Sequence, residues 1–99
     1  MRTMTTADFL REVRSLLQEV NQQLQQRQAG IAGAGTTDEL QYIQAELSNL
    51  ETLATSNALP PPGSRWLGAT RIVTDTWPHN SQLGDRICRL ADLYKRRVQ

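Results

Sequence analysis

The segment Arg65-Trp-Leu-Gly-Ala-Thr-Arg-Ile-Val-Thr-Asp-Thr-Trp77 contains both tryptophans of a 99-residue chain in which only 5% of the residues are aromatic. Large aromatic rings dominate the energetics of small cores, so we expect the chain to assemble around this segment. Helical spacing predicts one buried face, with Ser64 as the N-cap. The residues of that face are Trp66, Ala69, Thr70, Val73 and Trp77. A helix is favoured over a strand because no other segment offers a partner strand.

Apolar residues at three- and four-residue steps predict three further helices around this segment. Thr36 with Glu39 forms a capping box, Thr5 with Asp8 resembles one, and Asn80 or Ser81 is placed to cap the last helix. Three glycines in 30–35 and three prolines in 56–63 break the helices between these positions. The predicted helices therefore span roughly 6–28, 37–55, 65–77 and 81–97.

The fold class predicted from these patterns is all-α, either a compact four-helix bundle or an irregular small helical domain. Ninety-nine residues correspond to one domain, which we place at 1–99. A chain of this length buries enough surface for one modest core without a metal or a disulfide.

Charge is distributed unevenly along the chain, although the net charge is only +1. Residues 28–64 carry four acidic residues and no lysine or arginine, whereas residues 65–99 carry seven basic residues against three acidic ones. An acidic centre of the chain followed by a basic C-terminal third is therefore its main electrostatic feature.

Catalytic and metal chemistry are not indicated by the sequence. His79 is the single histidine, with Asp75 four residues before it, but Pro78 interrupts any helical register between them and predicts an exposed turn. Cys88 is the single cysteine and is expected to be a partly buried structural thiol. We predict a protein that is not an enzyme and needs no cofactor or metal. It has no apolar run long enough for a membrane span, and a cytoplasmic location is favoured.

The leading functional hypothesis is a small protein-binding module that acts by covering a partner. Its concrete form is a bacterial immunity or antitoxin-type protein that neutralises a basic, nuclease-like toxin through an acidic helix face. The predicted partner-binding residues are Asp38, Glu39, Tyr42, Glu46 and Glu51.

Two alternatives stay open. A small nucleic-acid-associated accessory subunit would use the arginine-rich last helix, although a near-neutral net charge is poor for binding phosphate. Its candidate residues are Arg86, Arg89, Lys95, Arg96 and Arg97. A self-associating helical scaffold would instead pair the apolar faces of the first two helices between chains, so both a monomer and a small homo-oligomer are considered. Core packing is expected for both tryptophans, but an exposed tryptophan would be a leading interface candidate.

Overall fold

The computed structural model describes residues 5–96 and contains, within that range, four α-helices and a one-turn 3-10 helix at Pro62–Ser64. The α-helices are α1 (Thr6–Gln28), α2 (Thr37–Thr55), α3 (Gly68–Thr76) and α4 (Gln82–Arg96). The predicted all-α class is confirmed. The predicted bounds of the first two helices are confirmed. The last helix begins one residue later than predicted, and its predicted end at residue 97 lies outside the described residues.

Helices α1 and α2 form an antiparallel pair. Arg14 contacts Glu51 and Asn21 contacts Gln44, so positions that advance along α1 retreat along α2. The predicted apolar faces meet between the helices and are buried there, within a single chain. Their buried residues are Phe9, Val13, Leu16, Val20 and Leu24 on α1, and Leu40, Ile43, Leu47, Leu50 and Ala54 on α2.

Helices α3 and α4 complete the core against this pair. Their buried residues are Ala69, Val73, Leu83, Ile87, Leu90 and Tyr94, with Trp77 directly after α3. One continuous cluster of apolar side chains joins all four helices. The Cα radius of gyration is 13.4 Å, close to the about 13 Å expected for a compact domain of this length.

The helix starts follow the predicted capping pattern in three places. Thr36 and Glu39 form the complete capping box expected for α2. The hydroxyl of Thr5 accepts a hydrogen bond from the Asp8 backbone N–H at 3.1 Å, which caps α1. Ser81 is the cap of α4, because its hydroxyl accepts a hydrogen bond from the Gly84 N–H at 3.0 Å.

The glycine-rich connection between α1 and α2 is held by one arginine that sequence reasoning did not identify. Arg27 donates hydrogen bonds to the carbonyl oxygens of Ile31, Ala34 and Gly35 at 2.9–3.2 Å. Gly35 has a φ of +86°, and a Cβ at this position would lie 2.6 Å from the Trp77 ring. Glycine is therefore required here both by the backbone conformation and by the neighbouring indole.

The prediction for the start of α3 is wrong. The helix begins at Gly68 and not at residue 65, and Ser64 does not cap it. Arg65 and Leu67 are buried whereas Trp66 is 74% exposed, so the expected burial of Trp66 is also wrong. The backbone at Leu67 is extended, and successive side chains of an extended chain point in opposite directions.

Candidate functional site

The carboxylate of Glu39 holds α2 against the end of α3. It accepts hydrogen bonds from the Thr36 backbone N–H at 3.0 Å, the Thr76 hydroxyl at 3.0 Å and the Trp77 indole N–H at 3.2 Å. The bond from the Thr36 backbone is the main reason that the pKa of Glu39 lies below its ordinary value, and partial burial opposes it. The bonds from Thr76 and Trp77 lower the pKa further.

The carboxylate of Glu46 caps α3 from the neighbouring helix. Its two oxygens accept hydrogen bonds from the backbone N–H groups of Gly68 and Ala69, at 2.8 and 2.9 Å. Leu67 occupies the N-cap position and provides no side-chain hydrogen bond, so Glu46 satisfies donors that would otherwise lack an acceptor. Gly68 permits this close approach, since a Cβ there would collide with the Tyr42 hydroxyl.

The remaining residues of the predicted acidic face differ in their surroundings. Glu51 forms an ion pair with Arg14 at 2.8 Å. Asp38 is exposed, and Tyr42 retains 48% exposure beside the start of α3. Three of the four predicted carboxylates, Glu39, Glu46 and Glu51, thus have partners within the chain. Asp38 and part of Tyr42 are exposed to solvent.

The predicted nucleic-acid-binding residues of α4 are similarly divided. Arg86 contacts Glu19 at 2.9 Å and Ser15 at 3.1 Å. Arg96 forms an ion pair with Asp92 on its own helix at 2.9 Å. The exposed members of the set also include Arg89 and Lys95, and Arg97 lies outside the described residues.

A groove lies beside the exposed Trp66. It lies between the start of α3 and the last turns of α4, and its cavity volume is about 300 Å³. We call it the Trp66 groove. Leu67, Thr70, Cys88 and Ala91 line its less polar part. Arg65, Asp92, Lys95 and Arg96 line its charged part.

Buried Arg65 fixes the direction of Trp66. Its guanidinium donates hydrogen bonds to the Pro60 carbonyl oxygen at 2.8 Å and the Tyr94 carbonyl oxygen at 3.2 Å. It also lies 5.5 Å from the centre of the Tyr94 ring, which in turn stacks on Phe9. With Arg65 held inward, the next side chain along the extended backbone faces solvent. No local sequence signal marks this arrangement, because the charged residue Arg65 is buried and the apolar residue Trp66 is exposed.

Two of the side chains considered for catalysis, His79 and Cys88, line a second, smaller cavity of about 130 Å³ between α3 and α4. The third, Asp75, is not part of that lining and forms an ion pair with Arg71 at 3.5 Å. His79 is exposed, as predicted. Cys88 is partly buried, and burial, followed by the charge of Asp85, raises the pKa of its thiol. A raised pKa disfavours the thiolate, which is the reactive form of cysteine.

No group of three or more His, Cys, Asp or Glu side chains within residues 5–96 is arranged to hold a metal ion. In the same range, no helix is both long enough and apolar enough to cross a membrane. Comparison with known proteins found no protein family whose model matches this chain and no curated protein that matches it.

Proposed function

We propose that this protein is a non-enzymatic protein-binding module whose interface is centred on Trp66. The observation that carries the proposal is the 74% exposure of this indole in a chain whose other tryptophan is 5% exposed. Tryptophan is enriched among the residues that dominate protein interfaces, because it buries a large apolar area with little loss of side-chain freedom. Tyr42, at 48% exposure, lies against Gly68 near the same end of α3.

The free energy gained by covering Trp66 is large enough for this residue to anchor a specific protein interface. A tryptophan side chain buries about 150–250 Å². At about 25 cal/mol per Å², covering the exposed part of Trp66 contributes about 3–5 kcal/mol before the entropy cost of association. One such residue anchors an interface but does not complete it, so neighbouring groups must supply the remaining affinity and the specificity.

Inhibition of a basic toxin stays a narrower proposal within this class. Its contact surface would centre on the exposed Asp38 and Tyr42, since Glu39, Glu46 and Glu51 have partners within the chain. The nucleic-acid alternative is favoured less, because Glu19 and Asp92 already pair with two of the cations of α4. The scaffold alternative would need apolar faces that are buried between α1 and α2.

Partner capture with matched surface variants tests the proposal. Wild-type protein, Trp66→Ala and Ile31→Ala are used as baits, and each captured protein is purified and its affinity is measured again. Ile31 is the control because it is a large apolar side chain at 54% exposure in the α1–α2 connection. A partner retained by Ile31→Ala and lost by Trp66→Ala supports the proposal, whereas equal affinity for all three baits contradicts it. Asp38→Lys is used as a fourth bait. If only this variant loses the partner, the interface is the acidic surface around Asp38 and not Trp66.

A further inference from the structure

We propose that the Trp66 groove binds an acidic peptide segment of a partner protein, with one apolar side chain of that segment as its anchor. This inference rests on the proposed function, because it assigns the chemistry of the partner that the Trp66 surface would recognise. It is carried by three properties of the groove, namely its size, its charge and one polar group in its lining.

The size of the groove favours a side chain of a peptide over a whole small molecule. Pockets that bind small molecules usually have volumes of about 300–1,000 Å³ and enclose most of the ligand. The groove, at about 300 Å³, lies at the lower limit of that range. Leu67 and Ala91 give it an apolar lining next to the Trp66 indole, which suits a leucine or phenylalanine side chain.

The charge of the groove favours an acidic segment around that anchor. Three cations line it, Arg65, Lys95 and Arg96, against the single carboxylate of Asp92. Arg96 and Asp92 form an ion pair, so no carboxylate of the groove lining balances the charge of Lys95. The guanidinium of Arg65 is largely committed to carbonyl oxygens, whereas Lys95 is exposed on the last turn of α4. Lys95 is therefore the cation best placed to meet a carboxylate of the partner.

One polar group in the groove lining has no partner. The hydroxyl oxygen of Thr70 is buried and makes no hydrogen bond within residues 5–96. A buried polar atom without a partner costs about 1–3 kcal/mol. A peptide backbone in the groove would offer both donors and acceptors to this hydroxyl.

Single-stranded nucleic acid is the competing occupant, since indole rings stack on bases. The structure favours the peptide for two reasons. The groove lining is partly apolar, and one of its cations is already paired with Asp92. The net charge of +1 also provides little of the phosphate-driven affinity on which nucleic-acid binding depends.

Titration of the ¹⁵N-labelled protein with simple probes tests the inference. The probes are a short peptide with one leucine flanked by glutamates, the same peptide with lysines in place of the glutamates, and a single-stranded oligonucleotide. We expect the acidic peptide to shift the indole N–H resonance of Trp66 and the amides of Leu67 and Ala91. The indole N–H of buried Trp77 should stay in place and serves as the internal reference.

Two charge-reversal variants on α4 provide the matched comparison. Lys95→Glu should weaken binding of the acidic peptide by about tenfold or more, because it sets like charges against each other. Arg89→Glu makes the same charge change on an exposed residue that lines a different cavity, with Glu12 and Arg86, and should leave affinity nearly unchanged. Thr70→Val should also weaken binding, although it removes an unpaired hydroxyl from the free protein.

Several results would overturn the inference. These are equal binding of the acidic and basic peptides, absence of any shift at Trp66, and a response to the oligonucleotide alone. The outcome for the proposed function is separate. If Trp66→Ala abolishes binding to a captured partner while Lys95→Glu does not, the interface is correct and the acidic chemistry of the partner is wrong. If Trp66→Ala leaves that binding intact, the proposed function itself fails.

Discussion

Trp66 and Trp77 stand at opposite ends of the segment around α3 and have opposite environments. Trp77 follows the helix, packs against Gly35 and donates its indole N–H to Glu39. Trp66 precedes the helix and is exposed, because the extended backbone there turns Arg65 and Leu67 inward. A tryptophan is thus part of the core at one end of α3 and exposed to solvent at the other.

At each end of α3, a glutamate of α2 accepts the hydrogen bonds that hold the segment in place. Glu39 closes the carboxyl end through Thr76 and Trp77, and Glu46 closes the amino end through the N–H groups of Gly68 and Ala69. The two glutamates are seven residues apart, which places them on the same side of α2. The side of α2 that the sequence marks as acidic is therefore also the side that positions α3 and the groove at its start.

The largest expected effect comes from exchanging the two tryptophans for alanine one at a time. Trp77→Ala should lower the free energy of unfolding by about 3–5 kcal/mol, because it leaves a cavity and removes the hydrogen bond to Glu39. Trp66→Ala should change it by about 0.5 kcal/mol or less, as is usual for exposed residues. Urea denaturation of both variants measures the two values.

The slope of each denaturation curve serves as the control, because an unchanged slope shows that the same surface is exposed on unfolding. Comparable destabilisation by the two variants would show that Trp66 contributes to the core, and the basis for the proposed interface would be lost. A small loss of stability in Trp77→Ala would show that the neighbouring side chains repack into the cavity. The two tryptophans would then differ less in their contribution to stability than in their burial.

The helices of this protein were predictable from sequence to a greater extent than the segment at 65–68. Regular spacing in α1, α2 and α4 extends over several turns, and each of these helices has a capping side chain within its own segment. The start of α3 has neither signal, because its capping group is Glu46 on another helix and its buried cation is Arg65. Contacts between distant positions cannot be read from local periodicity, so Trp66 was placed on the wrong face.

The candidate site was predicted in its residue types but not in their roles. The acidic residues of α2 were identified, yet their hydrogen bonds to α3 depend on how the two helices pack together. Exposure of a tryptophan was recognised as the feature that would indicate an interface, and the sequence could not decide which of the two would be exposed. That decision depends on the direction of the backbone between Ser64 and Gly68, where the turn after the prolines leads into α3.

The second expected effect concerns the amino end of α3. Glu46→Ala should lower the free energy of unfolding by about 1–3 kcal/mol, because two backbone donors lose a charged acceptor. Amide hydrogen exchange at Gly68 and Ala69 should become faster, and the fluorescence of nearby Trp66 should change as the first turn loosens.

Glu51→Ala is the matched control for this prediction. It removes a carboxylate from the same helix, but that carboxylate pairs with Arg14 at the surface and should contribute about 0–1 kcal/mol. If the two variants lose equal stability, or if exchange at Gly68 is unchanged in Glu46→Ala, then Glu46 does not hold the start of α3. In that case the placement of Trp66 would depend on Arg65 alone.

The smallest expected effect is the pH dependence at the carboxyl end of α3. The folded-state pKa of Glu39 is lowered, chiefly by the Thr36 backbone N–H, so the ionised carboxylate is favoured in the folded protein. Its stabilisation is therefore complete above its ordinary pKa of about 4.3 and is lost as the pH falls through the lowered folded value. The free energy of unfolding of wild type minus that of Glu39→Gln should accordingly shrink on acidification through this interval.

Asp38→Asn is the matched control, because it removes the adjacent carboxylate on the same helix, which is exposed. Since both variants carry the same change in charge, a parallel pH dependence would mean that the net charge of the folded protein governs acid sensitivity. A steeper dependence for Glu39→Gln would instead assign that sensitivity to the hydrogen bonds that Glu39 accepts from Thr76 and Trp77.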